Sequence, residues 1–193
     1  MTFLATILFI GLVLNFKKGD IFIMDVSQVI KSRRSVRLYQ EKQIEKKKLD
    51  KVLEAARLAP SANNRQEWKF IVVRDKDTRK RVANAASGQT FIGQAPAIIV
   101  ACATESQSMM TCGQLRYTVD VSIAMSFMIL QAQELGLRTC WIGAFNEPNV
   151  KEILGIPDDI RVVAMTPLGY PSRDTAARPR KEMEQIVCFN KYE

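Results

Sequence analysis

The stretch Ala97-Ile98-Ile99-Val100-Ala101-Cys102 carries no polar side chain. A strand with one wet face alternates apolar and polar residues, so this run predicts a strand over 97–102 covered on both faces. Such a strand needs helices above and below it, and the chain supplies them. Asp25 and Gln28, spaced as a capping box, open a short helix to about 32. Leu49, Val52, Leu53 and Ala56 recur at helical spacing and predict a helix over 46–58, ended by Pro60. Further helices are predicted over 78–86 and 114–135, and from Asn146 and Pro148 to a closing Gly155. Strands are expected at 70–73, 137–141 and 161–168, while the tail 172–193 has little helical pattern.

Helices and buried strands interleave, so the class is α/β or α+β. No Gly-x-Gly-x-x-Gly follows a strand, which argues against a Rossmann site. At 193 residues, without a repeat or linker, the chain fits one domain. The helix over 114–135 is apolar almost all round, with Val119, Val121, Ile123, Met125, Phe127, Met128, Ile129 and Leu130. It belongs at the centre of a large core or in a subunit interface. Met109 and Met110 read as core fillers, and Lys46-Lys47-Lys48 as plain solvent-facing charge.

The chain contains no histidine, which removes a conventional zinc centre and any His-based triad, so no metal site is expected. Cys102, Cys112, Cys140 and Cys188 lack Cys-x-x-Cys spacing and read as buried small hydrophobes in a reducing compartment. A net charge of +8 favours anionic ligands. No zinc-finger, basic-zipper or aromatic RNA-binding signature accompanies it, so nucleic acid is not the expected partner. A chain of this composition that performs chemistry is expected to borrow a cofactor.

Residues 1–16 are nearly all apolar and are followed by Lys17-Lys18. The run is shorter than the ~20 residues that span a bilayer, has no basic segment before it and no small-x-small cleavage site after it. If it anchored, the lysines would keep the main domain cytoplasmic. The preferred expectation is that 1–23 is upstream sequence rather than native protein. Lys18-Gly19-Asp20 can be encoded as AAA-GGA-GAT, which contains a ribosome-binding sequence, and Met24 then reads as the natural start of a 24–193 domain.

Two basic clusters lie near opposite ends of the chain. Arg33-Arg34-Ser35-Val36-Arg37 ends the first helix, and Arg178-Pro179-Arg180-Lys181 lies in the tail. Guanidinium forks hold phosphate oxygens bidentately and a serine hydroxyl adds one more bond, so the first cluster suits a phosphate monoester. Between them come Glu-Ala-Ala-Arg-Leu-Ala-Pro-Ser-Ala (54–62), Trp68-Lys69-Phe70, Gly136-Leu137 leading to Trp141-Ile142-Gly143, and Leu168-Gly169-Tyr170-Pro171.

In that order these segments resemble the nitroreductase family of FMN oxidoreductases, over roughly 25–192. The resemblance implies an α+β sandwich with a mixed, mainly antiparallel sheet covered by helices. It also implies an intertwined homodimer whose two FMN molecules lie at the interface. Residue by residue, Arg33, Arg34 and Ser35 look like phosphate and ribityl contacts, and Arg178 and Arg180 like the pair that closes over the phosphate. Arg37 matches the family's basic residue at the flavin N1 and O2 edge. Pro60, Ser61, Ala62 and Asn64 resemble the loop that reaches the flavin from the partner chain. Ile142, Gly143 and Ala144 resemble the segment beside the ring, and Gln89 the amide near its edge. Two departures stand out: Glu67 where the family usually has Pro before the tryptophan, and Arg138 where a Gly is familiar.

The implied activity is FMN-dependent hydride transfer from NADH or NADPH to a small acceptor, a nitroaromatic, quinone or similar compound, in a ping-pong cycle. No side-chain acid or base is named as catalytic. The implied setting is the cytoplasm, without membrane partners. Two alternatives use the same residues: a flavin-destroying or dehalogenating relative on this fold, and an FMN-binding or nucleic-acid-binding module without turnover. The segment 105–114 is short for a large lid, which leans towards an open pocket.

Overall fold

The computed structural model describes residues 25–192; the expectations about residues 1–23 and a start at Met24 lie outside them. Capping places most elements where the sequence puts them. Helix α1 (Val26–Ser32) starts at Asp25, whose carboxylate accepts from the Gln28 N–H at 2.8 Å while the Gln28 side chain accepts from the Asp25 N–H at 3.1 Å. Helix α2 spans Lys46–Arg57 and strand β1 Trp68–Val73. Helix α3 (Lys76–Ala85) is capped by Asp75, and the short α4 covers Thr90–Gln94. Strand β2 is Ala97–Ala103, helix α5 Arg116–Glu134 and strand β3 Arg138–Thr139. Helix α6 (Glu147–Leu154) is capped by Asn146 and closed by Gly155 at φ 64°, and strand β4 is Arg161–Gly169.

The sheet order is β1-β2-β4-β3, with every strand pair antiparallel and one isolated parallel bridge, Ser35 to Thr139. All seven residues of β2 are buried. Ala97, Ile99, Ala101 and Ala103 face α2 and α5, while Ile98, Val100 and Cys102 face α3, α4 and α6. Full burial of Ile98, Ile99 and Val100 contributes roughly 1.5–3 kcal/mol each, which is why this strand organises both layers. A bulge in β4 opposite Ala101 and Cys102 switches face parity, so Ala164 packs with the α2/α5 layer and Val162 with the other.

The glycine of Leu168-Gly169-Tyr170-Pro171 has a packing cause. A Cβ on Gly169 would sit 2.6 Å from Pro96 Cδ and 3.1 Å from Tyr39 Cδ1. Arg79, on α3, is one of two buried charged residues among those described, the other being Asp120 on α5. The Arg79 guanidinium donates to the backbone carbonyls of Arg74, Gly93 and Ala95, tying α3 to the end of α4.

Several expectations need correction. The strand expected over 137–141 is only the two residues of β3: the chain stays in the same register beside β4, but Cys140 falls opposite Pro167, which has no N–H to give, and donates to the Thr166 hydroxyl at 3.2 Å before pairing resumes at Ile142 with Met165. Cys102 and Cys140 are buried, but Cys112 and Cys188 are exposed, since neither belongs to a helix or strand. Met109 is 65% exposed in the β2–α5 connection and fills no core. Lys48 is half-buried rather than solvent-facing. Its Nζ donates to Leu135 O at 2.8 Å and Tyr170 Oη at 3.0 Å, joining α2 to the end of α5 and to the Leu-Gly-Tyr-Pro segment. Among the described residues no helix is long and apolar enough to cross a membrane.

Candidate functional site

The first arginine cluster is held by the sheet edge. After α1, residues 33–39 run extended along β3. The Val36 N–H donates to Thr139 O at 2.9 Å, and Val36 and Tyr39 bury their side chains. The tail returns to the same place: Gln40 N–H donates to Tyr170 O at 2.9 Å and Ser172 N–H to Leu38 O at 3.0 Å. Two clusters separated by more than a hundred residues therefore meet.

One cavity of about 170 Å³ is lined by Arg33, Arg34, Ser35, Arg37, Arg178 and Arg180, with Thr175 and Ala176 between them. No acidic side chain lines it, and among the described residues none of these arginines is in an ion pair. Arg34 is locked in place, its Nη1 donating to Lys31 O at 2.6 Å and Arg33 O at 2.8 Å. Five guanidiniums and a hydroxyl around a small acid-free cavity form a cradle for a multiply charged oxyanion.

Beyond β3 the chain continues along the same edge. Ile142 exchanges two backbone hydrogen bonds with Met165, at 2.9 and 3.0 Å, and buries its side chain, while Gly143 and Ala144 stay exposed. Gln89 Nε2 donates to Ala86 O at 3.0 Å and reaches Ala144 O at 3.5 Å. Two residues on, the Phe91 ring carries the Arg37 guanidinium 5.9 Å from its centroid. Arg37, Phe91, Gln89 and Ala144 thus link the cradle to an exposed backbone segment of small residues. Phe91, Thr175 and Ala176 were not legible as site residues, since an isolated phenylalanine and a Thr-Ala pair in a tail carry no signal.

The titratable groups beneath this edge stay protonated at neutral pH. Burial pushes the Cys140 thiol up, against the lowering effects of Arg37, Ser35 and Arg33, and burial likewise raises the Tyr39 hydroxyl far above its ordinary value. Neither supplies a nucleophile or a general base near neutrality. The arrangement is suited to binding and positioning an anion, not to acid–base chemistry.

The loop with Pro60, Ser61, Ala62 and Asn64 lies elsewhere, and none of the four lines the cradle. Its backbone is unusual: Asn63, Asn64 and Gln66 have φ of 53°, 54° and 54°, a left-handed region that non-glycine residues seldom enter. Two residues one turn apart on α5 restrain it. The buried carboxylate of Asp120 accepts from the Ala62 N–H at 3.2 Å. Arg116 donates to Glu67 at 2.6 Å and to Glu105 at 3.0 Å. Glu67 therefore pairs instead of facing water. Arg116 and Asp120 escaped the sequence reading, although two opposite charges at i and i+4 in a helix otherwise so apolar were the available signal.

The chain matches the Nitroreductase family over residues 30–115 and 88–170. It is 37% identical to an Archaeoglobus fulgidus protein that carries the name NADH dehydrogenase/NAD(P)H nitroreductase, over 75% of this chain and 84% of the relative. A Bacillus subtilis FMN reductase [NAD(P)H] is 30% identical over 83% of this chain and 73% of its own length. The solved structure of an FMN-dependent nitroreductase from Clostridium difficile superposes with a TM-score of 0.75 at 33% identity, covering 85% of this chain and 98% of the other. The family match ends at residue 170, short of Arg178 and Arg180, and the cavity brings both beside Arg33, Arg34 and Arg37.

Proposed function

This chain belongs to the nitroreductase family, and from that premise we propose that it is an NAD(P)H-dependent oxidoreductase with FMN as its cofactor and a small nitroaromatic, quinone or similar molecule as acceptor. The observation that carries the reading is the convergence of Arg33, Arg34, Ser35, Arg37, Arg178 and Arg180 on one acid-free cavity. That donor set fits the phosphate of FMN, and Arg37, pointing along the edge towards Phe91, supplies positive charge where a reduced ring builds negative charge. Gly143 and Ala144 keep side-chain bulk away from an exposed backbone, as a flat ring lying close to it requires. Bound FMN would supply two-electron chemistry, accepting hydride from the nicotinamide and passing it on. The chain's own residues hold, orient and tune; none is assigned proton transfer.

Pro60, Ser61, Ala62 and Asn64 act on the flavin of a second copy. Within one protomer none of them lines the cradle, and two apolar surfaces stay uncovered. Val119 and Phe127 on α5 are 36% and 41% exposed, and Phe189 and Tyr192 in the tail are 83% and 97% exposed. A homodimer would bury such surfaces and complete the site. Cys102, Cys112 and Cys140 form no disulfide, which fits a reducing cytoplasmic setting.

The test is the visible absorption spectrum of the purified protein under anaerobic conditions, before and after NADH and then NADPH. A flavin band that bleaches with either nucleotide is expected. A protein that takes up no FMN refutes the cofactor, and a band that neither nucleotide bleaches refutes the donor.

A further inference from the structure

A second basic cavity, of about 160 Å³, adjoins the cradle and shares Arg34 and Thr175 with it. We propose that it is a second phosphate subsite, so that this chain takes flavins bearing a 5′-diphosphate, the FAD class, as well as the monophosphate. The inference rests on the flavin reading above and deepens it.

The chemistry of the lining supports a second oxyanion. Arg34, Arg138 and Arg173 surround the cavity, and Asp174 is the single carboxylate among the residues that line it. Three guanidiniums against one carboxylate leave an excess of positive charge. Arg138 is half-buried, its Nη1 donates to Leu137 O at 2.9 Å, and among the described residues no carboxylate lies within ion-pair distance of it. Its desolvation lowers the guanidinium pKa, with Asp174 offsetting part of that cost. A half-buried cation without a close counter-ion is stabilised by an anion that arrives with the ligand. Arg34 stands between the two cavities with Nη1 engaged by backbone carbonyls, which leaves Nε and Nη2 without an acceptor among the described residues. One fixed guanidinium beside two phosphate-sized spaces suits two linked phosphates better than two independent ions.

The experiment measures Kd for FMN and for FAD by ultrafiltration and flavin absorbance, on the flavin-stripped full chain and on Arg138→Ala and Arg173→Ala. FAD is expected to bind with a Kd similar to that of FMN. Each substitution should weaken FAD by about tenfold while leaving FMN nearly unchanged, since one charge-assisted phosphate contact is lost. Arg173 is exposed, so its variant keeps the fold even if Arg138→Ala does not. Inorganic phosphate should then compete with FAD more strongly than with FMN if the second space is a phosphate site.

FMN binding without FAD binding overturns the subsite and leaves the FMN reading standing. Parallel loss of both flavins in the variants, or equal competition by phosphate, also overturns it, because the two cavities would then act as one site. Binding of neither flavin removes the flavin reading, and the subsite with it.

Discussion

The arginine cradle and the loop 60–66, both proposed to serve FMN, are built in opposite ways. The cradle joins residues 33–37 to 175–180 within one protomer, around a cavity free of acids. The loop is local in sequence, has left-handed backbone at three residues, and is tied by Asp120 and Arg116 to one end of α5. The cradle keeps its charges available for a ligand, whereas the loop's charges are spent on holding its own shape. The difference teaches which part is built to supply affinity and which geometry: guanidiniums outside any ion pair are available to an anion, whereas a loop pinned in left-handed backbone is suited to positioning.

The largest effect that could break this comparison is loss of the cradle. Arg33→Ala with Arg180→Ala removes two charged contacts, together worth about 3–6 kcal/mol of FMN affinity. The variant should emerge colourless from gel filtration while its far-UV circular dichroism is unchanged. A double variant that retains flavin as tightly as the parent would show that the phosphate lies elsewhere.

Arg116→Gln sharpens the other half. Loss of the partly buried bridge to Glu67 and Glu105 should lower unfolding free energy by about 2 kcal/mol in denaturant titrations. Its effect on FMN should be smaller than that of the cradle variant. If the loop serves the partner's site, co-refolding the Arg116→Gln chain with the Arg33→Ala/Arg180→Ala chain should restore flavin to mixed dimers, each holding one site with cradle and loop both intact. Mixed dimers that hold flavin no more tightly than the Arg116→Gln homodimer would show that the loop does not serve the partner's site.

The smallest effect separates core from site. Burial pushes the Cys102 thiol up to about 11 from an ordinary value of 9.0, with Glu147 adding to the shift and Lys151 and Lys69 opposing it. The folded state then holds a proton that the unfolded chain releases. Stability from this group is fully present below pH 9 and is lost as pH rises through about 11. Thermal melts between those values should fall less steeply in Cys102→Ala, without change in cradle affinity. An unchanged slope would mean that Cys102 is not the group being titrated.

How much of this was legible follows from how local each cause is. The caps at Asp25 and Asn146 and the stop at Gly155 lie within a few residues of the helices they bound, and all three were readable. The doubly covered β2 was readable because unbroken apolarity has few other solutions. Lys48 and Arg79 misled or escaped notice because a cation on a helix normally faces water. Only the arriving carbonyls of Leu135, Gly93 and Ala95 make burial affordable for them. The two-residue length of β3 depends on which residue of β4 lies opposite it, Pro167 facing Cys140, which no pattern local to 137–141 encodes.

The sequence by itself therefore determined the double cover of β2, the capped helix ends at Asp25, Asn146 and Gly155, the absence of histidine chemistry and two arginine clusters of the kind that suit a phosphate. Tertiary structure alone decided that the two arginine clusters share a cavity, that Glu67 answers Arg116, and that Pro96 and Tyr39 leave no room for a Cβ on Gly169. The reason is range. Caps, periodicity and propensity act within a turn or two of the chain, whereas charge pairing and steric exclusion act through space between residues whose separation along the chain says nothing about their distance.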